Sequence, residues 1–68
     1  MTKERIKAGI AYASTTAQAV AEKIGTTKQN FSNKLQRESF TDSDLRKIAD
    51  AIGAEYKTYF EFSDGTQI

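Results

Sequence analysis

The sequence predicts a mostly α domain of four short helices, closed by a C-terminal β-strand or short hairpin. Three observations carry this. Apolar residues recur at three- and four-residue spacing in four successive blocks. Threonines stand where three of those blocks begin, and glycines stand where two of them end. The last stretch then switches from helical spacing to strict alternation.

The first helix is expected over about residues 3–13, with Ile6, Ile10 and Ala13 on one face. Ser14-Thr15-Thr16 interrupts it, and Thr16 is the natural N-cap of a second helix, Ala17–Ile24. Val20, Ala21 and Ile24 form the stripe it buries. Gly25 stands where a helix end needs a left-handed residue. Thr27 caps a third helix, Lys28–Gln36, and Thr41 with Asp44 makes a capping-box start to a fourth, Asp42–Ile52, which Gly53 closes. Leu45, Ile48, Ala49 and Ile52 point inward there. Ala21-x-x-Ile24-Gly25 and Ala49-x-x-Ile52-Gly53 repeat one local pattern, but only the first leads into another polar-faced helix.

From Tyr56 to Phe62 the side chains alternate, with Tyr56, Thr58, Phe60 and Phe62 on one side and Lys57, Tyr59 and Glu61 on the other. That predicts a strand over about 56–62, followed by a two-residue hairpin turn at Asp64-Gly65 and a return through Thr66-Gln67-Ile68. Phe60 and Phe62 are then expected against Ile10 or Ile48, with the free strand edge open to a twin. A fifth helix is the competing reading.

With 68 residues and 38% hydrophobic content, the chain makes one domain, 1–68, with a small core to which a dimer interface would add. It has no Cys and no His, which excludes disulfides, the usual zinc sites and Cys-, His- or triad-type catalysis. No Gly-rich phosphate loop is present, so neither catalytic residue, cofactor nor metal is expected. Met1-Thr2-Lys3-Glu4-Arg5 lacks the apolar core of a signal peptide and no run suits a membrane span, so a cytoplasmic location is expected. The net charge of +1 is unevenly spread. Residues 1–36 hold six bases against two acids, whereas residues 37–68 hold four bases against seven acids. One end suits a polyanion and the other does not.

The third helix carries the chemistry. With Phe31 inward on a wheel, Leu35 and Thr27 fall about 40° to either side as anchors. Gln29 and Asn33 lie opposite with Gln36 beside them, Asn30 and Ser32 sit on the flanks, and Lys28 and Lys34 take the shoulders. Glutamine and asparagine can bond adenine bidentately, lysine can reach guanine or phosphate, and serine suits either. Lys28, Gln29, Asn30, Ser32 and Asn33 are the candidate base contacts. Thr16, Gln18, Thr27, Lys34, Arg37 and Ser39 are the candidate phosphate contacts that set register. For Thr16 a plain cap and for Arg37 a solvated charge are the simpler alternatives.

Over roughly residues 5–53 the chain resembles the Cro/repressor-type (XRE-like) helix-turn-helix proteins of phages and bacteria. Ala21, Gly25, Thr27, Phe31-Ser32 and Ile48-Ala49-Asp50-Ala51-Ile52-Gly53 carry the likeness. The resemblance implies a repressor-like helix-turn-helix over about 17–36, double-stranded operator DNA as partner, and a homodimer on a palindromic site regulating transcription. Departures are Ala17 where many members have Gln, with Gln18 adjacent, and Thr26 and Lys34 at positions often apolar. The aromatic ending is not general to the family, though it is similar to the terminal strands through which small Cro proteins partly dimerise. Tyr56, Thr58, Tyr59, Phe60 and Phe62 are the candidate dimer interface. The alternative is a protein-interaction or antitoxin-like module whose C-terminal strand pairs with a protein partner. Base stacking on the tail aromatics is opposed by Glu55, Glu61 and Asp64.

Overall fold

Four threonines begin four helices. The computed structural model describes residues 2–68 and holds α1 (Lys3–Tyr12), α2 (Ala17–Ile24), α3 (Lys28–Arg37) and α4 (Asp42–Ala51). The hydroxyls of Thr2, Thr16, Thr27 and Thr41 each accept the backbone N–H three residues on, satisfying a donor that the first turn leaves unpaired. The expected helices are all present, with ends displaced by at most one residue. Each stop is also built alike. A residue two or three past each helix terminus donates back five residues, Thr15 to Ile10, Thr26 to Ala21, Ser39 to Lys34 and Ala54 to Ala49, at 2.8–3.2 Å. Each of these loops passes through a left-handed residue: Ser14, Gly25, Glu38 and Gly53. The two glycines were legible as left-handed stops, and Ser14 as part of the break after α1; that Ser14 and Glu38 are themselves left-handed was not legible, because a side chain in that conformation is disfavoured by about 1–2 kcal/mol.

The core is one cluster drawn from all four helices: Ile6 and Ile10, Val20 and Ala21, Phe31 and Leu35, Leu45 and Ile48. α2 packs against both α3 and α4. Ile24, Phe40, Ile52 and Tyr56 are half-buried around it. Gly9 lets α1 approach α4, because a Cβ there would lie 3.1 Å from the Ile52 Cδ1 methyl. Phe40, in the α3–α4 connection, sets its ring 5.3 Å from that of Phe31. No helix among the described residues is long and apolar enough to cross a membrane.

The ending departs from expectation. No strand forms over 56–62, and no fifth helix forms; the described residues contain a single isolated bridge, Glu61 opposite Gln67. Among the described residues, 55–59 have no backbone partner for their own backbone groups, since only residues 66–68 return and they reach back only to 60–62. The turn is also one residue longer than expected. Phe62 accepts from Gly65 at 2.9 Å and donates to Thr66 at 2.7 Å, leaving Ser63-Asp64-Gly65 as the loop. A two-residue Asp-Gly turn needs both residues at positive φ, whereas here Gly65 has it and Asp64 does not. Asp64 instead accepts the Thr66 N–H at 2.9 Å, which lowers its pKa. Phe60 and Phe62 do not reach Ile10 or Ile48 and stay largely exposed. Tyr56 is the tail residue that joins the core, its hydroxyl 3.4 Å from the Asp42 carboxylate.

The α4 capping box is complete: Asp44 N–H donates to the Thr41 hydroxyl at 3.1 Å, and Thr41 N–H donates to the Asp44 carboxylate at 3.0 Å. That backbone donation, aided by the Thr41 hydroxyl and by Lys34, holds the Asp44 pKa below its ordinary 3.8. A lowered carboxylate pKa contributes stability above the ordinary value and loses it as pH falls through the folded one. D44N should therefore cost roughly 0.3–1 kcal/mol at neutral pH, toward the low end because the site is partly solvated. Wild type and variant should converge in acid. Urea denaturation at pH 7 and below pH 3.8 checks this; a difference that persists unchanged in acid refutes it.

Candidate nucleic-acid interface

A three-residue turn, Gly25-Thr26-Thr27, separates α2 from α3. Gly25 takes φ 84°, and Thr27 caps the next helix by accepting from Asn30 N–H at 3.1 Å. α3 buries Phe31 and Leu35 and half-buries Ser32; its other residues are exposed, and none is acidic. The wheel describes Phe31 and Leu35 well, because two large apolar residues four apart suffice to orient a helix, but Thr27, expected as a second anchor, is exposed, since as the N-cap it lies outside the helix.

Along the outer face the Gln29 amide nitrogen donates to the Asn33 carbonyl oxygen at 3.1 Å. The pair leaves the Gln29 oxygen as an acceptor and the Asn33 nitrogen as a donor. Lys28 and Asn30 stand exposed at the entry to the helix. Gln36 does not continue the row, for its oxygen accepts from Lys3 Nζ at 3.3 Å.

The expected phosphate-binding residues divide. The Thr16 and Thr27 hydroxyls are occupied as caps. Gln18, Arg37 and Ser39 are exposed. Lys34 inclines toward α4, its nitrogen 3.9 Å from the Asp44 carboxylate, while about half its side chain stays in solvent. Solvated at that distance, the pair is weak, and Lys34 retains its reach.

One cluster escaped the sequence reading. The Glu38 carboxylate accepts the Lys3 backbone N–H at 2.8 Å, so the residue ending α3 caps the start of α1. With Lys3 on Gln36, this ties the far end of the polar helix to the opposite end of the chain. The partners are 33 and 35 residues apart, so no local pattern announces them. The contact also offsets the cost of a left-handed Glu38.

Fold and site together define a small, mostly α domain presenting one acid-free helix face rich in amides and cations. No family model, curated protein or solved structure matches the chain.

Proposed function

We propose that this chain is a sequence-specific, double-stranded DNA-binding regulator of transcription, a Cro-like repressor acting in the cytoplasm rather than an enzyme. In this reading α2 and α3 form a helix-turn-helix, with α3 entering the major groove. The observation that carries the proposal is the exposed α3 face, where hydrogen-bonded Gln29 and Asn33 are flanked by Lys28, Asn30 and Ser32. Their free acceptor and donor complement the N6 donor and N7 acceptor of adenine. Arg37, Lys34, Gln18 and Ser39 would meet phosphates on either side, with backbone N–H groups near Thr16 and Thr27 assisting.

Selection of bound sites from a random duplex pool tests this directly, since a specific reader enriches a defined sequence. On that sequence Gln29→Ala or Asn33→Ala should cost roughly 1–3 kcal/mol and relax one or two base positions. Arg37→Ala should weaken all duplexes alike. Amide variants that lose specific and non-specific binding in equal measure would show that these residues read no bases.

The exposed tail aromatics favour a second reading, a protein-interaction or antitoxin-like module. Capture of one protein partner independently of DNA, with no duplex retained at low salt, would favour it.

A further inference from the structure

The seam between α1 and α4 is not closed along its whole length. It is tight where Gly9 meets Ile52, since a Cβ added there would lie 3.1 Å from the Cδ1 methyl. One turn earlier, between Ile6 and Leu45, it holds a cleft of about 170 Å³. Ile6, Leu45, Ala49 and Ile52 make its apolar floor. The tail forms the outer wall: Ala54 N–H donates to the Ala49 carbonyl at 2.8 Å, and the Tyr56 hydroxyl reaches Asp42 at 3.4 Å, so the chain runs back along α4. The α2–α3 side of the core is sealed, with Val20, Ala21 and Phe31 at 0% exposure, whereas Ile6, Leu45 and Ala49 keep 5–7%. No residue lining the cleft comes from α2 or α3, so it stands apart from the proposed DNA face.

Size and charge define what fits. A dry cavity of about 150 Å³ lined by apolar side chains takes a benzene ring, so this cleft suits one ring or one branched aliphatic group. Two opposite charges stand at its rim, the Arg5 guanidinium and the Glu55 carboxylate, both exposed. The one ion pair among the described residues, Lys34 with Asp44, involves neither of them. A hydrocarbon would leave both charges without a partner. A simple acid or a simple amine would satisfy one and meet like charge at the other.

We infer that the α1–α4 cleft binds an apolar α-amino acid, with its side chain on the floor, its carboxylate on Arg5 and its ammonium on Glu55. Both ligand charges stay at the solvent rim, so binding desolvates the apolar side chain and leaves the ionic groups wet. The backbone groups of Glu55 and Tyr56, which have no backbone partner, add donors and acceptors beside them. The site goes beyond the regulator reading and does not depend on it.

Titration of the isotope-labelled full chain with L-leucine, followed through amide chemical shifts, tests the site without DNA. A ligand of about nine non-hydrogen atoms should saturate with a Kd of about 1 mM. The shifts should cluster at Ile6, Leu45, Ala49, Ile52 and Tyr56. Isovalerate, which lacks the ammonium, and isoamylamine, which lacks the carboxylate, should each bind at least about tenfold more weakly. Arg5→Gln should lower leucine affinity to the isoamylamine level, and Glu55→Gln to the isovalerate level. Both variants should keep the wild-type circular dichroism, because the two side chains are on the surface. No saturable shift by about 20 mM leucine, shifts scattered away from the cleft, equal binding of the three probes, or variants that bind leucine as wild type does would each overturn the inference. Failure of every duplex to bind would overturn the regulator reading and leave the leucine result standing.

Discussion

Phe31→Ala should leave little folded protein at room temperature. Phe31 is fully buried at the middle of α3 and packs against the Phe40 ring as well as the four-helix cluster. Truncating a buried phenylalanine typically costs about 3–5 kcal/mol, from lost transfer energy and the cavity left behind. A 68-residue domain has only roughly 3–10 kcal/mol to lose. Urea titration followed by circular dichroism should show the midpoint collapse toward zero denaturant. Phe31→Leu should retain much of the stability, because it keeps most of the volume. The same residue holds Gln29 and Asn33 outward, so duplex binding should disappear with the fold and return with leucine. An alanine variant with a near-native midpoint would show that α3 is held by something other than this contact.

Duplex binding should fall by roughly a thousandfold between about 50 and 200 mM salt. Each copy carries Lys28, Lys34 and Arg37 on α3, so two copies bound to a palindrome as proposed would place about six cations near phosphates. Counterion release then gives a log–log slope near −5, or about three decades over that fourfold change in salt. Filter binding or fluorescence anisotropy across the series measures the slope. Arg37→Gln should flatten it by about two on a two-fold site, one per copy. Affinity that is level across the range would remove the electrostatic half of the proposal. The effect is large because each released counterion multiplies the constant.

Much of the fold was legible because helix starts and many helix stops are local events. A threonine followed by an apolar stripe is chemistry among neighbours, and Thr16, Thr27 and Thr41 cap where that chemistry places them. The inward and outward residues of α3 were legible for the same reason, since one period and one large buried residue orient a helix. The tail was not. Alternation from Tyr56 to Phe62 is a property of one segment, whereas a strand exists only when another backbone pairs with it. Residues 66–68 supply too little, so one bridge forms and Phe60 and Phe62 stay in water.

The sequence by itself determined four helices, three of them with their capping threonines, the Phe31–Leu35 anchor and an acid-free polar face on α3, because all of these depend on residues within about a turn of one another. Only the tertiary structure decided that Glu38 caps α1, that Lys3 holds Gln36 away from the amide row, that Lys34 leans on Asp44 and that the tail presents its apolar face outward. Those outcomes depend on which distant groups the packing brings within hydrogen-bond or contact distance, and chain-local patterns carry no record of that separation.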